Sequence, residues 1–354
     1  MGEKVLMKGN EAIAEAAIRA GCKMFFGYPI TPQTELAAYM AKRLPKIEGG
    51  VFLQAESEVA AINMVYGAAS AGKRVLTSSS SPGISLKSEG ISYIAGSDLP
   101  CVIINIVRGG PGLGGIQPAQ SDYFQATKGG GHGDYKMIVL APGSIQEIVD
   151  ITKDAFELGE KYRMPVMIMG DGMLGQMMEP IEFPEEGETV VPERPYATNG
   201  TKMKREHNII NSLYIDPAEL EKTVIERYKR YEQVAKNETR VEEYMTDDAE
   251  YIIAAYGTIA RVAKSAIAAL RAEGIKVGLI RPITLWPFPE AAFKKAAAKV
   301  SGILDVEMSM GQMVEDVRLS VNGACPVEFF GRTGGVIPTP GEICDALKKM
   351  KEGK

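Results

Sequence analysis

The chain of 354 residues is 45% hydrophobic and 24% charged, with a formal net charge of -5. That length exceeds one ordinary core and predicts two domains of globular composition. The slightly acidic balance points to neither nucleic acid nor an anionic membrane, and the opening stretch MGEKVLMKGNEAIAEAA carries no apolar secretion core and no myristoylation pattern, so the expectation is a cytoplasmic chain without membrane spans.

From the N-terminus, helical and extended patterns alternate. Residues 10–20 have helical period and stop at Gly21. Residues 23–27 read as a strand, and Thr31-Pro32 is expected to open the next helix, with Thr31 as N-cap and Pro32 in the first position. Strands are predicted over 51–55, 74–78, 101–108, 137–140 and 165–169, with helices over 58–71, 84–95 and 144–161. Ser144 and Glu147 form a capping box for the last of these. Such alternation predicts an α/β domain, doubly wound around a mostly parallel sheet. Residues 182–199 are rich in Pro and Glu and read as a linker. Asp216-Pro217-Ala218-Glu219 then starts a helix on which Leu220, Val224, Tyr228, Tyr231 and Ala235 would form one apolar stripe, as on a brace between domains. A second α/β unit follows, with strands over 249–256, 277–283, 302–307 and 327–330 and helices over 259–272 and 341–350. The predicted domains are therefore 1–185, a linker with the bracing helix over 186–246, and 247–354.

Three places invite chemistry. In 51-VFLQAESEVAAINMVYGAASAGKR-74, Glu58 stands where a strand gives way to a helix of small and apolar residues. Ligands of open α/β sheets gather at such strand ends. Glu58 is either a carboxylate favoured by the helix dipole or a proton-handling group pressed into an apolar contact such as one with another subunit. In 27-GYPITPQTE-35, free N–H groups and the Thr31 hydroxyl could hold a carboxylate or simply cap a helix. Arg108 ends the apolar strand of 101-CVIINIVRGGPGLGG-115, as a fork for a carboxylate or as half of a structural salt bridge.

Other patterns are weaker. The run 110-GPGLGG-115 fits GxGxxG, but Ile116-Gln117-Pro118 follows in place of a helix, so dinucleotide binding is not expected. Ser78 to Ser81 lack a nucleophile elbow. His132, in a Gly-rich loop, reads as structural or catalytic. The segment 170-GDG-172 followed by Asn199 imitates a magnesium–diphosphate motif, but that Asn falls in the linker. Cys22, Cys101, Cys325 and Cys344 lie far apart, without the spacing of a zinc or iron–sulfur site, so no metal ligand set is expected in this chain.

Taken together, GYPITP at 27–32, AESEVAA at 55–61, LPCVIINIVRGGPG at 99–112 and GGGHGDY at 129–135 resemble the alpha-type subunit of 2-oxoacid:ferredoxin oxidoreductases. The stretch from 248 to 289 resembles the domain that follows in that family. The resemblance implies an α/β fold with a thiamine-diphosphate pyrimidine-binding-type doubly wound domain, then a transketolase C-terminal-like α/β domain. It implies that the Glu58 carboxylate meets N1′ of the aminopyrimidine and that Pro29 and Ile30 lie against the cofactor. Thr31 and Arg108 would then touch the substrate carboxylate. The implied reaction is oxidative decarboxylation of a 2-oxoacid to acyl-CoA and carbon dioxide, with coenzyme A as co-substrate and ferredoxin as electron acceptor. Thiamine diphosphate would be shared with a beta subunit, and Mg2+ and [4Fe-4S] clusters carried by partners, including a gamma and a ferredoxin-like delta subunit, in an anaerobic cytoplasm. The loop GPGLGGIQP differs from the GPSTGLPT-like loop of the 2-oxoglutarate branch and favours 2-oxoisovalerate. The alternatives are a 2-oxoglutarate enzyme, a non-catalytic scaffold subunit and a stand-alone transketolase-like enzyme.

Overall fold

The structure is a computed structural model that describes residues 4–184 and 191–353. Part of the predicted linker, 185–190, lies outside the described residues. The first half runs β1 (Val5–Lys8), α1 (Gly9–Arg19), β2 (Met24–Gly27), α2 (Thr34–Arg43), β3 (Val51–Gln54), α3 (Glu58–Ser70), β4 (Val75–Ser79), α4 (Ser81–Gly96) and β5 (Val102–Val107). It continues with α5 (Tyr123–Thr127), β6 (Ile138–Leu140), α6 (Ile145–Tyr162), β7 (Val166–Asp171), α7 (Gly172–Gln176) and β8 (Met178–Ile181). After α8 (Pro217–Glu238) come β9 (Val241–Tyr244), β10 (Tyr251–Ala254), α9 (Gly257–Ala272), β11 (Val277–Pro282), β12 (Thr284–Trp286), α10 (Glu290–Ala297), β13 (Gly302–Glu307), α11 (Met313–Val321), β14 (Val327–Gly331) and α12 (Pro340–Lys351).

The strands form a seven-stranded sheet in the order β12-β6-β7-β5-β4-β2-β3 and a five-stranded sheet in the order β14-β13-β10-β11-β9. Each is parallel apart from one antiparallel edge strand, β12 in the first and β9 in the second. Central β4 and β5 are buried along their whole length, as strands covered by helices on both faces must be. One apolar core lies on each face of the first sheet, and α3 and α4 pack together on one of them. This is the expected α/β architecture. β12 adds a strand from the second half to the first sheet, and Gln120 of the first half bonds Tyr256 O and Met308 N of the second. The two halves thus share hydrogen-bond ladders and side-chain clamps. Among the described residues, no helix is long and apolar enough to cross a membrane.

Two local expectations need correction. α2 begins at Thr34, because Ile30 to Gln33 close a turn in which Gln33 N donates to Ile30 O at 3.1 Å. Thr31 is therefore not its N-cap. On α8 the buried residues are Arg227, Tyr231 and Val234, while Leu220 and Tyr228 of the predicted stripe are exposed. Only the second half of α8 is anchored: Arg227 Nε donates to Asp98 Oδ1 at 2.8 Å, and Tyr231 meets Trp286 edge-on.

Candidate functional site

The carboxyl ends of β2, β4 and β5 converge, and the polar groups of interest gather there. Glu58 is the first residue of α3; Ser57 caps the helix by accepting from Ala60 N at 3.1 Å. Starting a helix directly after β3 turns the Glu58 side chain toward α4. It is buried, and no described residue hydrogen-bonds its carboxylate. A buried carboxylate at a helix N-terminus is favoured by the dipole, yet its oxygens still need partners.

α4 passes close by. A methyl group added at Gly83 would fall 2.7 Å from Glu58 Oε1 and 2.0 Å from Ser79 Oγ. The hydroxyls of Ser79 and Ser80 are buried there without a hydrogen-bond partner. A carboxylate and two enclosed hydroxyls at strand ends, none of them with a hydrogen-bond partner among the described residues, fit a polar heterocycle that both donates and accepts hydrogen bonds. The residues present therefore fit the aminopyrimidine end of thiamine diphosphate.

Thr31 and Arg108 are brought together. Arg108 is 7% exposed, and its Nη1 donates to the Thr31 carbonyl at 2.9 Å. Its Nη2 donates to Leu113 O at 3.1 Å, while Nε has no partner. Arg108 is thus tied by two carbonyls and takes part in no salt bridge among the described residues. Ser81, at the start of α4, is hydrogen-bonded to both the N–H and the carbonyl of Arg108, which links this residue to the Glu58 side of the site. Pro29 and Thr31 are exposed at the corner and Ile30 is half-buried. The corner is fixed from behind by Gln33, fully buried, whose amide donates to Tyr28 O and accepts from Ser78 Oγ at 2.7 Å.

The loop over 109–117 closes on itself, with Gly109 N donating to Gln117 O and Gly115 N to Gly109 O. No helix opens there, in line with the rejected nucleotide fingerprint. Leu113 and Ile116 stand exposed on it, 84% and 57%. Asp171 of the Gly-Asp-Gly segment sits at the corner between β7 and α7. Its carboxylate is engaged as the N-cap of α7, accepting from Met173 N at 2.9 Å and Leu174 N at 3.0 Å. Burial raises its pKa despite these bonds. Asn199 instead accepts from Arg205 in a cleft beside Gly72 and Arg194. His132 meets Tyr93 edge-on, and its carbonyl accepts from Ser92 Oγ.

Sequence reasoning missed Gln33, Gly83 and Lys87. Lys87, on α4, is 0% exposed; its Nζ donates to Thr77 Oγ1 at 2.6 Å and to Ser78 O at 3.1 Å. Burial pushes the Lys87 ammonium down to about 7, against a partial lift from the nearby Glu58 and Cys101 charges. The spacing of Gly83, Lys87 and Gly90 on one helix face was the available signal.

A strand-end cradle of this kind, in an open parallel sheet followed by a smaller α/β unit, defines a thiamine-dependent class. The chain belongs to the family of 2-oxoacid:ferredoxin oxidoreductases: residues 15–246 match the family described as pyruvate flavodoxin/ferredoxin oxidoreductase, thiamine diphosphate-binding, and residues 249–343 match pyruvate:ferredoxin oxidoreductase core domain II. It is 50% identical over 347 residues to the ketoisovalerate oxidoreductase subunit VorB of Methanothermobacter marburgensis, covering 98% of this chain and 97% of that one. It is 38% identical over 386 residues to the 2-oxoglutarate synthase subunit KorA of Methanothermobacter thermautotrophicus, covering 99% and 100%. Among solved structures, the 2-oxoglutarate:ferredoxin oxidoreductase from Magnetococcus marinus, with 2-oxoglutarate, coenzyme A and succinyl-CoA bound, superposes with a TM-score of 0.89 at 30% identity over 98% of this chain. The present chain spans 65% of the length of that one. A split-gene transketolase, TM-score 0.61 at 16% identity, shares the fold.

Proposed function

We propose that this chain supplies the aminopyrimidine half of the thiamine diphosphate site in a 2-oxoacid:ferredoxin oxidoreductase acting on 2-oxoisovalerate. The observation that carries the reading is Glu58, a buried residue whose carboxylate takes no hydrogen bond among the described residues, beside the enclosed, unpartnered Ser79 and Ser80 hydroxyls. When bound, thiamine diphosphate supplies the carbon nucleophile and electron sink needed to decarboxylate a 2-oxoacid. The Glu58 side chain would meet ring N1′ by a hydrogen bond and so pass the proton demand of the ring to a carboxyl group fixed at the start of α3. Pro29 and Ile30 offer the apolar corner beside it. Arg108 and the Thr31 hydroxyl orient the substrate carboxylate; the unpartnered Arg108 Nε and the two carbonyl anchors keep the guanidinium in place for that role.

Partners follow from what this chain commits elsewhere. Asp171 is engaged as a helix cap, so the diphosphate and Mg2+ are assigned to a beta subunit. Burial pushes the thiols of Cys22 and Cys101 up to about 12, which suits packing and not cluster ligation. The [4Fe-4S] clusters therefore belong on partner subunits of gamma and ferredoxin-like delta type, with ferredoxin as acceptor and coenzyme A taking the acyl group.

The branched-chain choice is supported by the apolar Leu113 and Ile116 on the loop that Arg108 anchors, and by the similarity to ketoisovalerate oxidoreductase subunits. The similarity to KorA keeps 2-oxoglutarate as the second reading.

The test is anaerobic coenzyme A-dependent dye reduction by the chain purified with its native partners. 2-Oxoisovalerate is expected to be the best of a panel with 2-oxoglutarate and pyruvate. Glu58→Gln is expected to cut turnover at least about a hundredfold with assembly intact. Full turnover by Glu58→Gln would leave a scaffold role for the chain. Activity confined to 2-oxoglutarate would overturn the substrate assignment alone.

A further inference from the structure

We propose that Gln33 is a positioning residue that acts through Ser78: the bond between their side chains sets where the substrate corner stands relative to the cofactor cradle. This role rests on the reading in which Thr31 meets the substrate and the Ser79 and Ser80 hydroxyls face the cofactor.

In the first sheet β2 lies between β3 and β4. The chain leaves β2 for β3 on one side, then crosses to β4 and β5 on the other, so the winding reverses between β2 and β4. In open parallel sheets ligands bind outside the strand ends at such a reversal, where the connections part and leave a crevice. The ladder records the parting. β2 pairs with β4 at Met24 with Val75 and at Phe25 with Leu76 and no further, whereas β2 stays on β3 as far as Gly27 and β4 stays on β5 as far as Ser79. The corner after β2 and the hydroxyls at the end of β4 therefore stand on opposite banks of the crevice.

Side chains take over where that ladder stops. Thr77 Oγ1 donates to Phe26 O at 2.7 Å. One residue further along β4, Ser78 Oγ donates to Gln33 Oε1 at 2.7 Å. Gln33 also closes its own bank: its N–H donates to Ile30 O at 3.1 Å and its amide nitrogen to Tyr28 O at 3.2 Å. Each end of the tie is itself anchored. Pro32 O, next to Gln33, accepts from Asn10 Nδ2 at 2.7 Å and from Gln176 Nε2 at 3.1 Å. Ser78 O accepts from Lys87 Nζ at 3.1 Å. Gln33 and Ser78 are both 0% exposed, so water does not compete for their bond.

An apolar pair could fill the same space but would not fix a distance and a direction, because apolar contact is non-directional and a hydrogen bond is not. Glutamine suits the place because one planar amide accepts from the far bank and donates to the near one. The tie is also close to what it positions. Thr31 precedes Gln33 by two residues, and its carbonyl carries Arg108 Nη1; Ser79 and Ser80 follow Ser78 directly. Substrate held from one bank reacts with cofactor held from the other, and a misplacement of about 1 Å between them costs on the order of a hundredfold in rate.

The test is a double-mutant cycle in the chain assembled with its native partners. It is read as kcat/KM for the 2-oxoacid turned over best, beside a thermal melt. Gln33→Met and Ser78→Ala should each lower kcat/KM about tenfold or more. Each leaves one buried group of the pair without its partner, so each should also lower the melting temperature. The double variant leaves neither, and it should regain most of the melting temperature but none of the kcat/KM. Ser78→Thr keeps the hydroxyl and should recover most of the kcat/KM lost in Ser78→Ala. Recovery of kcat/KM together with melting temperature in the double variant would reduce the pair to a stabilising contact and overturn the proposal. Multiplying losses in the cycle would overturn it too, since residues acting through one bond lose it only once. Should a single variant fail to fold, the double variant and Ser78→Thr decide, the first expected to stay slow and the second to stay near the parent. Thr31→Val removes the hydroxyl assigned to the substrate and leaves the tie in place. An unchanged KM there would sink the reading of the corner. A raised KM there, with parent-like kcat/KM in Ser78→Ala, would sink the tie alone.

Discussion

At the scale of single residues, the decisive contact is the one between Gly83 and Glu58. Alanine is favoured over glycine within a helix by about 1 kcal/mol. Gly83 lies in the first turn of α4, where an added methyl group would meet Ser79 Oγ and Glu58 Oε1 well inside contact distance. The helix gain and the local clash therefore oppose each other in stability but not in function. Gly83→Ala is expected to leave the melting temperature within a few degrees of the parent. It should weaken thiamine diphosphate binding about tenfold or more, because the carboxylate must move. Calorimetry and a thermal melt on the same preparation check both halves; unchanged affinity would mean that Glu58 does not need its present position. The candidate residues were legible to different degrees for one reason. Glu58, Thr31 and Arg108 stand at strand ends, and strand ends can be read from apolar runs. Lys87 could not be read so, because its chain neighbours Ser85, Ser88 and Glu89 give that stretch the look of a solvated helix face. Its burial comes from packing against α3, of which the Gly83, Lys87 and Gly90 spacing is the one local trace.

At the scale of elements, α3 shows what an apolar sequence does and does not determine. Its pattern of small and apolar residues suggests a helix buried all round. In the fold, Ala61, Ile62, Val65 and Ala69 face the core, while Val59, Asn63, Met64 and Gly67 are exposed on the opposite face. A helix this apolar with one face uncovered fits a surface that a further subunit closes. Val59 and Met64 are 44% and 36% exposed, so charged replacements there should change stability by no more than about 0.5 kcal/mol. Met64→Glu is expected to abolish co-purification with the partner subunit proposed to bind the diphosphate, while the chain keeps its melting temperature. Intact assembly in that variant would remove α3 from the interface. Sequence reasoning missed the helices α5, α7, α10 and α11, and the strands β1, β8, β9 and β12, which are short strands of three or four residues, β9 and β12 on sheet edges and β1 and β8 paired with each other. Their pairing depends on distant partners, and three residues carry too little alternation to show it. The corner before α2 was misread because Thr-Pro fits a helix start and a turn equally well; the bond from Gln33 N to Ile30 O decides for the turn.

At the scale of the whole molecule, the second half supports the site it does not contain. Gly109, next to Arg108, lies 3.5 Å from the backbone of Gly334 and Gly335 at its added-methyl position. Gly335 has φ of +96°, and a methyl group there would fall 2.3 Å from Cβ of Gln117. Gln117 O accepts from Gly109 N, and Arg108 Nη2 holds Leu113 in the same loop. A continuous set of contacts thus runs from the turn after β14 through the loop to the Arg108 guanidinium. The two halves are also joined by the Arg281 fork on Glu147, at 2.8 and 2.9 Å, and by Tyr123 hydroxyl on Asp316 at 2.5 Å. With the halves fixed in this way, a push at Gly335 must be taken up by the loop. Gly335→Ala therefore adds both a strained backbone and a clash, at a stability cost of about 1–3 kcal/mol. Its functional effect should be selective. The KM for the 2-oxoacid is expected to rise about tenfold, since Arg108 is displaced relative to Thr31. Thiamine diphosphate affinity should fall much less, since Glu58, Ser79 and Gly83 lie on α3, β4 and α4 and reach Arg108 only through Ser81. Steady-state kinetics beside calorimetry separate the two. Equal losses in KM and cofactor affinity would mean that the halves move as one body around the site, and an unchanged KM would mean that the loop holds Arg108 without help from the second half.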